Sequence, residues 1–424
     1  MSRRIYSLLF YLAMPLIWLR LLWRARRQPE YLQQLGERHG FYAARSAPPL
    51  LWLHAVSVGE TRAAEPLIAA LLRDYPAHGV LLTHMTPTGR TAGGELLRRY
   101  PGRVLQAYLP YDLPGACARF LDHFRPQIGL LMETEIWPNL IAAAGNRNLP
   151  MALINARLSA RSQRGYARLP SLIGPALASL SAVAAQTAAD GERLQQLGAC
   201  RVSVCGNLKF DVSPAPEKLR QGESWRQSLG TRPVWLAAST REGEESLILD
   251  AFAAMRIPGL LLLLVPRHPQ RFAAVADLVD ERRLRLCRRS SGALPTPSTQ
   301  VWLGDSMGEM AAYYALADLA LIGGTLLPFG GQNLIEAAAC GCPVLIGPHR
   351  FNFAQASADA IACGAALQVK DVGEAATAAG ELFEHPPRLC AMRAAARRFS
   401  QAHCGATART MAVVQRLMVL RKGC

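Results

Sequence analysis

Two short acidic segments in the first half of the chain are candidates for catalysis. Glu60 follows an apolar run that gives way to Gly59 and then to a helical pattern. The pair Glu133 and Glu135 follows the apolar run Ile128–Met132 in the same way. A carboxylate at the carboxyl end of a strand can accept a proton from a substrate or stabilise positive charge at a reacting carbon. The alternative is that these acids only complement the dipole at a helix start, and the spacing alone favours that alternative.

Basic residues form a second group with possible chemistry. Arg157, Arg161, Arg164 and Arg168 are spaced so that one helix would present all four on the same face. Guanidinium groups in such a stripe suit phosphate groups, although a solvated surface face is an equally good interpretation. Lys209 lies where a segment without helical or strand periodicity begins, so it is placed to reach into a cleft.

Loops in the second half of the chain favour a nucleotide-sugar site. Pro266 and Arg267 come directly after the apolar run Leu260–Val265. Two Gly-Gly pairs precede Asn333, which suits an N-cap, and the amides of such a helix start can hold a phosphate. Glu336 is placed to accept hydrogen bonds from a ribose diol. Core packing hardly explains two Gly-Gly pairs beside an acid.

Short apolar runs alternate with amphipathic stretches along most of the chain, a pattern typical of parallel sheets covered on both faces. The predicted strands are Leu50–Val56, Val80–Thr83, Val104–Tyr108, Ile128–Met132, Met151–Ile154, Ala182–Ala185, Val202–Val204, Val234–Ala238, Leu260–Val265, Gln300–Trp302, Leu319–Ile322 and Val344–Ile346. We therefore expect an α/β chain with two doubly wound, Rossmann-like domains that face a central cleft. The domains would be 28–206 and 226–392, with a linker at 207–225 and a helical tail at 393–424.

The N-terminal segment predicts a membrane anchor. Ile5–Trp23 is almost wholly apolar, interrupted by Pro15 and Arg20, and arginines flank both ends. No cleavage site of the signal-peptide kind follows, so we interpret residues 1–27 as an uncleaved helix that spans the bilayer or lies in its interface. A buried helix of the globular fold is the alternative. Because the strand pattern starts only near Leu50, we expect both domains and the activity to survive deletion of this segment.

The composition and net charge limit the classes of binding partner. A net charge of +16 predicts an anionic partner, which would be nucleic acid, an anionic membrane or a phosphorylated substrate. No P-loop or dinucleotide fingerprint occurs, so neither of these nucleotide sites is supported. Neither zinc-finger spacing nor an aromatic-rich RNA-binding strand pair occurs, so nucleic acid is not favoured. The ten cysteines include no C-x-x-C pair and no metal-ligand spacing with histidine, which indicates reduced thiols rather than a disulfide framework.

Taken together, the motifs resemble the 3-deoxy-D-manno-octulosonic acid (Kdo) transferase family, whose members have the two-domain GT-B glycosyltransferase fold. The resemblance extends in order along most of the chain. The matching stretches are His54–Glu60, Thr86–Gly89, Tyr108–Asp112, Glu133–Asn139, Asn155–Ser162, Leu208–Asp211, Pro266–Pro269, Gly304–Glu309 and Gly323–Gly347.

This resemblance implies an inverting glycosyltransferase that moves Kdo from CMP-Kdo to a lipid A precursor (lipid IVA) in lipopolysaccharide core biosynthesis. It implies that Glu60 is the general base and that Glu133 and Lys209 stabilise the transition state. The N-terminal domain would bind the acceptor and the C-terminal domain the nucleotide sugar. The residues implied in CMP binding are Pro266, Arg267, Met307, Gly308, Glu309, Asn333, Leu334, Ile335 and Glu336.

The resemblance also implies a place and a set of partners. It implies neither a cofactor nor a metal ion, because cations and a helix start can assist departure of the nucleotide. A phosphorylated lipid acceptor would explain both the anchor and the basic charge, with the enzyme on the cytoplasmic face of an anionic inner membrane and no nucleic-acid partner.

Two alternatives stay open. One is another GT-B enzyme that uses a UDP-sugar on a lipid carrier, which release of UDP rather than CMP would reveal. The other is a non-catalytic basic protein of the membrane surface or of nucleic acid. Acids at several strand ends speak against the second, because they would repel phosphate groups.

Overall fold

The computed structural model describes residues 1–43 and 48–422. The chain divides into two compact units. Unit 1 combines Met1–Val212 with Cys404–Cys424, and unit 2 is Ser213–His403. Elements are numbered in chain order throughout both units.

Unit 1 is built on a seven-stranded parallel sheet in the order β3-β2-β1-β4-β5-β6-β7. Its strands are β1 (Leu50–His54), β2 (Gly79–His84), β3 (Val104–Tyr108), β4 (Ile128–Met132), β5 (Met151–Ala156), β6 (Ala182–Ala185) and β7 (Val202–Val204). Its helices are α1 (Arg3–Ala25), α2 (Val58–Asp74), α3 (Pro87–Arg99), α4 (Pro114–Phe124), α5 (Pro138–Gly145), α6 (Ala160–Tyr166), α7 (Pro170–Ala178), α8 (Ala188–Gln196) and, from the end of the chain, α17 (Ala406–Lys422). Because apolar cores lie on both faces, β1 and β4 are buried throughout and appear in the sequence as continuous apolar runs. The strand order reverses between β1 and β4, where open α/β sheets bind their ligands.

Unit 2 repeats this architecture with the strand order β10-β11-β9-β8-β12-β13-β14, again all parallel. Its strands are β8 (Val234–Thr240), β9 (Leu261–Pro266), β10 (Leu286–Arg288), β11 (Val301–Leu303), β12 (Leu319–Ile322), β13 (Val344–Ile346) and β14 (Ala366–Gln368). Its helices are α9 (Pro216–Leu229), α10 (Glu244–Ala254), α11 (Phe272–Glu281), α12 (Met310–Leu316), α13 (Leu334–Ala339), α14 (Ala354–Ala362), α15 (Val372–Glu384) and α16 (Pro386–His403). Here the order reverses between β8 and β12.

The prediction of two doubly wound, Rossmann-like domains is confirmed, and every predicted strand is present within two residues of its expected ends. The edge strands β10 and β14 of unit 2 were not predicted. Each has three residues. One residue of β14 and none of β10 is fully buried, so neither strand forms an apolar run.

The boundaries between the units differ from the expected ones. The expected linker 207–225 contains a 3-10 helix, Leu208–Asp211, and most of α9. Only Gly222 and Trp225 are buried in α9, which explains why its helical period was not detected. The expected tail 393–424 is divided, because α16 lies in unit 2 while α17 returns to the core of unit 1.

The predicted arginine stripe is wrong. The helix α6 begins after the N-cap Ser159 and ends at Tyr166, so it includes Arg161 and Arg164 but neither Arg157 nor Arg168. The backbone of Leu158 is held outside the helix by a bond to Asp190, which fixes the late start of α6.

The N-terminal segment forms α1, which is neither buried nor wholly exposed. It is the single helix in the described part of the chain that is long and apolar enough to cross a membrane, and only Leu21 and Ala25 in it are buried. The exposed leucine face of α1 consists of Leu8, Leu12, Leu16 and Leu19, which are 59 to 68% exposed. The other side packs against unit 1 through Phe10, Met14 and Ile17, which contact a cluster formed by Tyr111, Leu113 and Ala116.

Candidate active site

Glu60 occupies the first turn of α2, directly after β1. Its carboxylate accepts hydrogen bonds from the Val56 backbone N–H and the Ser57 hydroxyl, both at 2.9 Å, while the Ser57 Oγ accepts from the Glu60 N–H. This arrangement is similar to a capping box, except that the Glu60 carboxylate reaches the N–H of Val56 rather than that of the N-cap Ser57. Glu60 therefore does support the helix start, as the alternative interpretation expects. The carboxylate has a second property. Burial, and then the charge of Glu133, raise the pKa of Glu60 to about 7, which suits a base that works near neutral pH.

Glu133 and Lys209 are brought together by the loops after β4 and β7. The Lys209 Nζ lies 3.3 Å from the Glu133 Oε1. Asn155 fixes this position of the lysine, because its Oδ1 accepts the Leu208 N–H at 3.0 Å. The Asn207 side chain then accepts the Lys209 N–H at 3.0 Å. The three residues predicted to be catalytic therefore belong to loops at the carboxyl edge of one sheet.

Glu135 is a third carboxylate in the same group. Its Oε2 accepts the Trp137 Nε1–H at 2.6 Å. Burial raises the pKa of Glu135, the Trp137 bond opposes this, and the charge of Glu133 raises it further. The charges of Glu133 and Glu135 both raise the pKa of Glu60, so the loop after β4 controls the protonation of the acid after β1.

His54, at the start of the catalytic motif, has a structural role. It is completely buried, and its Nδ1 contacts the backbone oxygen and the hydroxyl of Thr83 at 3.1 and 2.9 Å. Burial and the neighbouring His84 lower the pKa of His54 to about 3, so the imidazole is neutral at any physiological pH.

In unit 2, Arg267 follows β9, which ends at Pro266. The Arg267 backbone N–H donates to the Thr240 carbonyl oxygen at 3.0 Å, which joins the ends of β9 and β8. Arg267 also belongs to a basic cluster. Burial lowers the pKa of His268, and the charges of Arg241, Arg267 and Arg271 lower it further. A cluster of this kind at the carboxyl end of a sheet suits an anionic ligand.

Glu309 immediately precedes α12, and its carboxylate is used within the protein. It accepts hydrogen bonds from the Ser306 hydroxyl, the Gln221 amide and Arg289 at 2.5, 3.0 and 3.0 Å. Burial would raise the pKa of Glu309, but these bonds outweigh it, and the pKa is lowered. Of the predicted group, Met307 is 57% exposed and Gly308 has a φ of +77° with open space around it, so a ligand can approach the backbone there.

The third predicted nucleotide segment opens α13. The Asn333 side chain accepts the Ile335 N–H at 3.1 Å, so its predicted role as N-cap is confirmed. Leu334 and Ile335 are 2% and 1% exposed, and the Ile335 N–H is occupied by Asn333, so both residues pack the start of α13 rather than offer a side chain to a ligand. Glu336, in the first turn, is partly exposed.

Comparisons with known proteins identify the family of this chain. Residues 33–212 match the family model described as 3-deoxy-D-manno-octulosonic-acid transferase. A 3-deoxy-D-manno-octulosonic acid transferase of Bordetella pertussis is 48% identical over 97% of this chain and 98% of its own length. The chain belongs to the 3-deoxy-D-manno-octulosonic acid transferase family.

Further relatives are consistent with this assignment. The transferase of Haemophilus influenzae is 40% identical over 88% of this chain and 89% of its own length. A glycosyltransferase of Rickettsia africae superposes with a TM-score of 0.60 over 90% of this chain and all of its own, at 13% identity, which is a similarity of fold alone. The chain is therefore a glycosyltransferase that transfers Kdo.

The structure of this Kdo transferase adds two acids that the sequence analysis did not consider. Glu244 is completely buried, and its carboxylate accepts the backbone N–H groups of Arg241, Gly324 and Leu326 at 2.9, 2.6 and 3.0 Å. It thereby holds the glycine-rich loop after β12 against the start of α10. Glu245, also completely buried, accepts from Thr240 and Arg271. Their position after a predicted strand was the available signal, the same one that identified Glu60.

Proposed function

We propose that this enzyme moves Kdo from CMP-Kdo to a lipid A precursor, with Glu60 as the general base. The observation that supports this most directly is the buried Glu60 carboxylate at the end of β1, with its pKa raised to about 7 by burial and by Glu133. In its ionised form it takes the proton of the acceptor hydroxyl as the new glycosidic bond forms. The acceptor attacks from the side opposite the nucleotide, so the configuration at the anomeric carbon is inverted.

Glu133 and Lys209 stabilise charge around the reacting carbon. Cleavage of the bond to the nucleotide leaves cationic character on the sugar ring, which a nearby carboxylate stabilises. The sugar itself is an acid, and the Lys209 ammonium, 3.3 Å from Glu133, offsets the negative charge that the acids and the sugar share.

Unit 2 binds the donor. The basic cluster around Arg267 takes the phosphate of CMP, and the positive end of the α13 dipole adds to this attraction. Asn333 fixes the start of this helix through its bond to Ile335, and Glu336 accepts hydrogen bonds from the ribose hydroxyls. Glu309 contributes through its backbone, since Ser306, Gln221 and Arg289 occupy its carboxylate.

The acceptor is a phosphorylated lipid that the enzyme takes from the cytoplasmic face of the inner membrane. Support comes from α1, whose exposed leucine face lies opposite the side that packs on unit 1. A helix with one apolar face outward and the other on the protein lies in the plane of the interface rather than across the bilayer. Exposed Arg3, Arg4, Arg26 and Arg27 at its ends suit anionic lipid headgroups.

The direct test is a reconstituted reaction. Purified enzyme in detergent is supplied with CMP-Kdo generated in situ and a tetraacyl lipid A precursor, and products are read by mass spectrometry. We expect a mass increase of one or more Kdo residues with release of CMP. Glu60→Gln should lower the rate at least about 100-fold, whereas Glu192→Gln, the same change at an exposed position of α8, should not. Product formed only with a UDP-sugar would refute the donor assignment, and an active Glu60→Gln would refute the base.

A further inference from the structure

The fully buried Asp112, in the loop after β3, caps a helix that lies elsewhere in the sequence. Its two carboxylate oxygens accept the backbone N–H groups of Asn139 and Leu140 at 3.1 and 2.8 Å. These are the second and third residues of α5, whose own N-cap, Trp137, supplies no side-chain bond. Asp112, from the loop after β3, therefore caps α5 from outside.

The N-terminal helix α1 reaches this same pair of residues. The Ser7 hydroxyl lies 3.0 Å from the Asn139 Oδ1 and 2.9 Å from the Arg3 carbonyl oxygen, and the Tyr6 hydroxyl lies beside the Asp112 carboxylate, where it lowers the pKa of that acid against the effect of burial. The Asn139 amide donates to the Asp112 carbonyl oxygen at 2.7 Å, which closes the network. An anchor that served only to hold the enzyme at a membrane would need apolar contacts and flanking charges, not polar contacts with the buried side chains of Asn139 and Asp112.

The start of α5 is also the end of the loop that contains Glu133 and Glu135. Only Ile136 and Trp137 separate Glu135 from the first residue of α5. Glu133 has a φ of +57°, a conformation that costs a non-glycine residue about 1–3 kcal/mol and persists only where its surroundings enforce it. The capped start of α5 holds the C-terminal end of this loop. The hydrogen bond from the Glu133 N–H to the Ile154 carbonyl oxygen holds its N-terminal end.

We propose that α1 is a positioning element of the active site. Tyr6 and Ser7 act through Asp112 and Asn139 to fix the start of α5, and thereby hold the Glu133 loop at its distance from Glu60. This inference rests on the proposed role of Glu60 as base. It assigns positioning roles to residues in a segment that the sequence marks only as an anchor.

The test compares two variants of the same helix in the full-length enzyme. Tyr6→Phe combined with Ser7→Ala removes the two hydroxyl groups of α1 that contact Asp112 and Asn139. Tyr11→Phe, the same tyrosine change at a side chain that is 50% exposed, is the matched control. Rates are measured on acceptor dispersed in detergent, so that recruitment to a bilayer does not contribute. We expect kcat of the double variant to fall about 10- to 100-fold, as for a displacement on the order of 1 Å in a catalytic group. KM for CMP-Kdo should not change, because the residues proposed to bind its nucleotide lie in unit 2 and Glu133 and Lys209 act mainly in the transition state.

The pH profile distinguishes positioning from a general loss of stability. The charged groups that act on Glu60 from the neighbouring loops are Glu133 and Glu135, with Lys209 paired to Glu133. If the loop moves away, the acidic limb of the kcat profile should shift to lower pH, an effect that fewer folded molecules would not produce. Asp112→Asn, which keeps the shape but loses one acceptor, should shift the limb in the same direction.

Three results decide the matter. A double variant with the kcat and acidic limb of Tyr11→Phe overturns the proposal, and so does a fall in kcat with an unshifted limb. Lower kcat together with a shifted limb and an unchanged KM supports it. If the wild-type profile has no acidic limb and Glu60→Gln is active, the base assignment fails on its own. In that case kcat of the double variant, corrected for the folded fraction, still decides whether α1 positions the site.

Discussion

Replacing Glu60 by glutamine should stabilise the protein above neutral pH while removing its activity. The native pKa of Glu60 is about 7, because burial and then Glu133 raise it from an ordinary value of 4.5. The native state therefore binds this proton more tightly than the unfolded chain does. The stability that comes from the bound proton is complete below pH 4.5 and is lost as the pH rises through 7.

The size of the effect follows from the shift. One pKa unit corresponds to about 1.4 kcal/mol, so ionising Glu60 in the native protein costs at most about 3 kcal/mol at pH 8. Glutamine does not ionise, and its side-chain oxygen can still accept the Val56 N–H. Glu60→Gln should therefore exceed the wild type in free energy of unfolding by up to that amount at pH 8, and by little at pH 4.5. For a domain the size of unit 1, this corresponds to a rise in melting temperature on the order of 5–10 °C.

The assay is thermal melting of both proteins in detergent at several values between pH 4.5 and 8. Glu192→Gln, which removes an exposed carboxylate from α8, serves as the control and should show no rise that depends on pH. A Glu60→Gln protein that is no more stable than the wild type at pH 8, or whose advantage is the same at every pH, would refute the reasoning. In that case the Glu60 carboxylate would not be desolvated to the extent that its burial indicates.

Four further changes test the remaining parts of the site. Glu133→Gln should lower kcat roughly 10-fold or more and move the acidic limb to lower pH, since a charge that raises the pKa of Glu60 is removed; a pH–rate profile checks this. Lys209→Met should also lower kcat but move the limb to higher pH, because Glu133 loses its partner. Arg267→Ala should weaken CMP binding about 10-fold or more by calorimetry, given that a hydrogen bond of a charged group contributes about 1.5–3 kcal/mol. Leu16→Asp, on the exposed leucine face, should reduce binding to anionic vesicles at least about 10-fold in a sedimentation assay.

The sequence was sufficient to predict the central architecture of both sheets. Strands such as β1, β4 and β9 are buried on both faces, so each is a continuous apolar run with a turn after it. The same property identified the site residues, because Glu133 and Arg267 are the first polar side chains beyond their runs and Glu60 is the first acid beyond its own. The edge strands β10 and β14 lack this signal, because only one of their six residues is fully buried.

Other features depend on contacts between distant segments and leave no local pattern. Asp112 caps a helix that begins 26 residues later, at Pro138, and nothing in its neighbours distinguishes it from an ordinary turn acid. The expectation that residues 1–27 are dispensable for activity rests on the strand pattern, which starts only near Leu50 and gives no information on the polar side chains of α1. The contacts of Tyr6 and Ser7 with Asp112 and Asn139 predict that removal of this segment lowers the activity, even in detergent.

The carboxyl ends of these sheets combine several features that lower stability. Glu133, Asn155 and Ser239 each follow or end a central strand with a positive φ, which non-glycine residues rarely adopt. Glu60 is buried with a carboxylate beside it, although burial of an acid is unfavourable unless it is compensated. Backbone strain and unfavourable charge are expected together at the carboxyl ends of these sheets if the side chains there are held in place for catalysis rather than for packing. The buried, ionisable carboxylate of Glu60 lowers stability above neutral pH and is required for activity. The gain in stability and the loss of activity in Glu60→Gln should therefore have a single cause, the removal of that carboxylate.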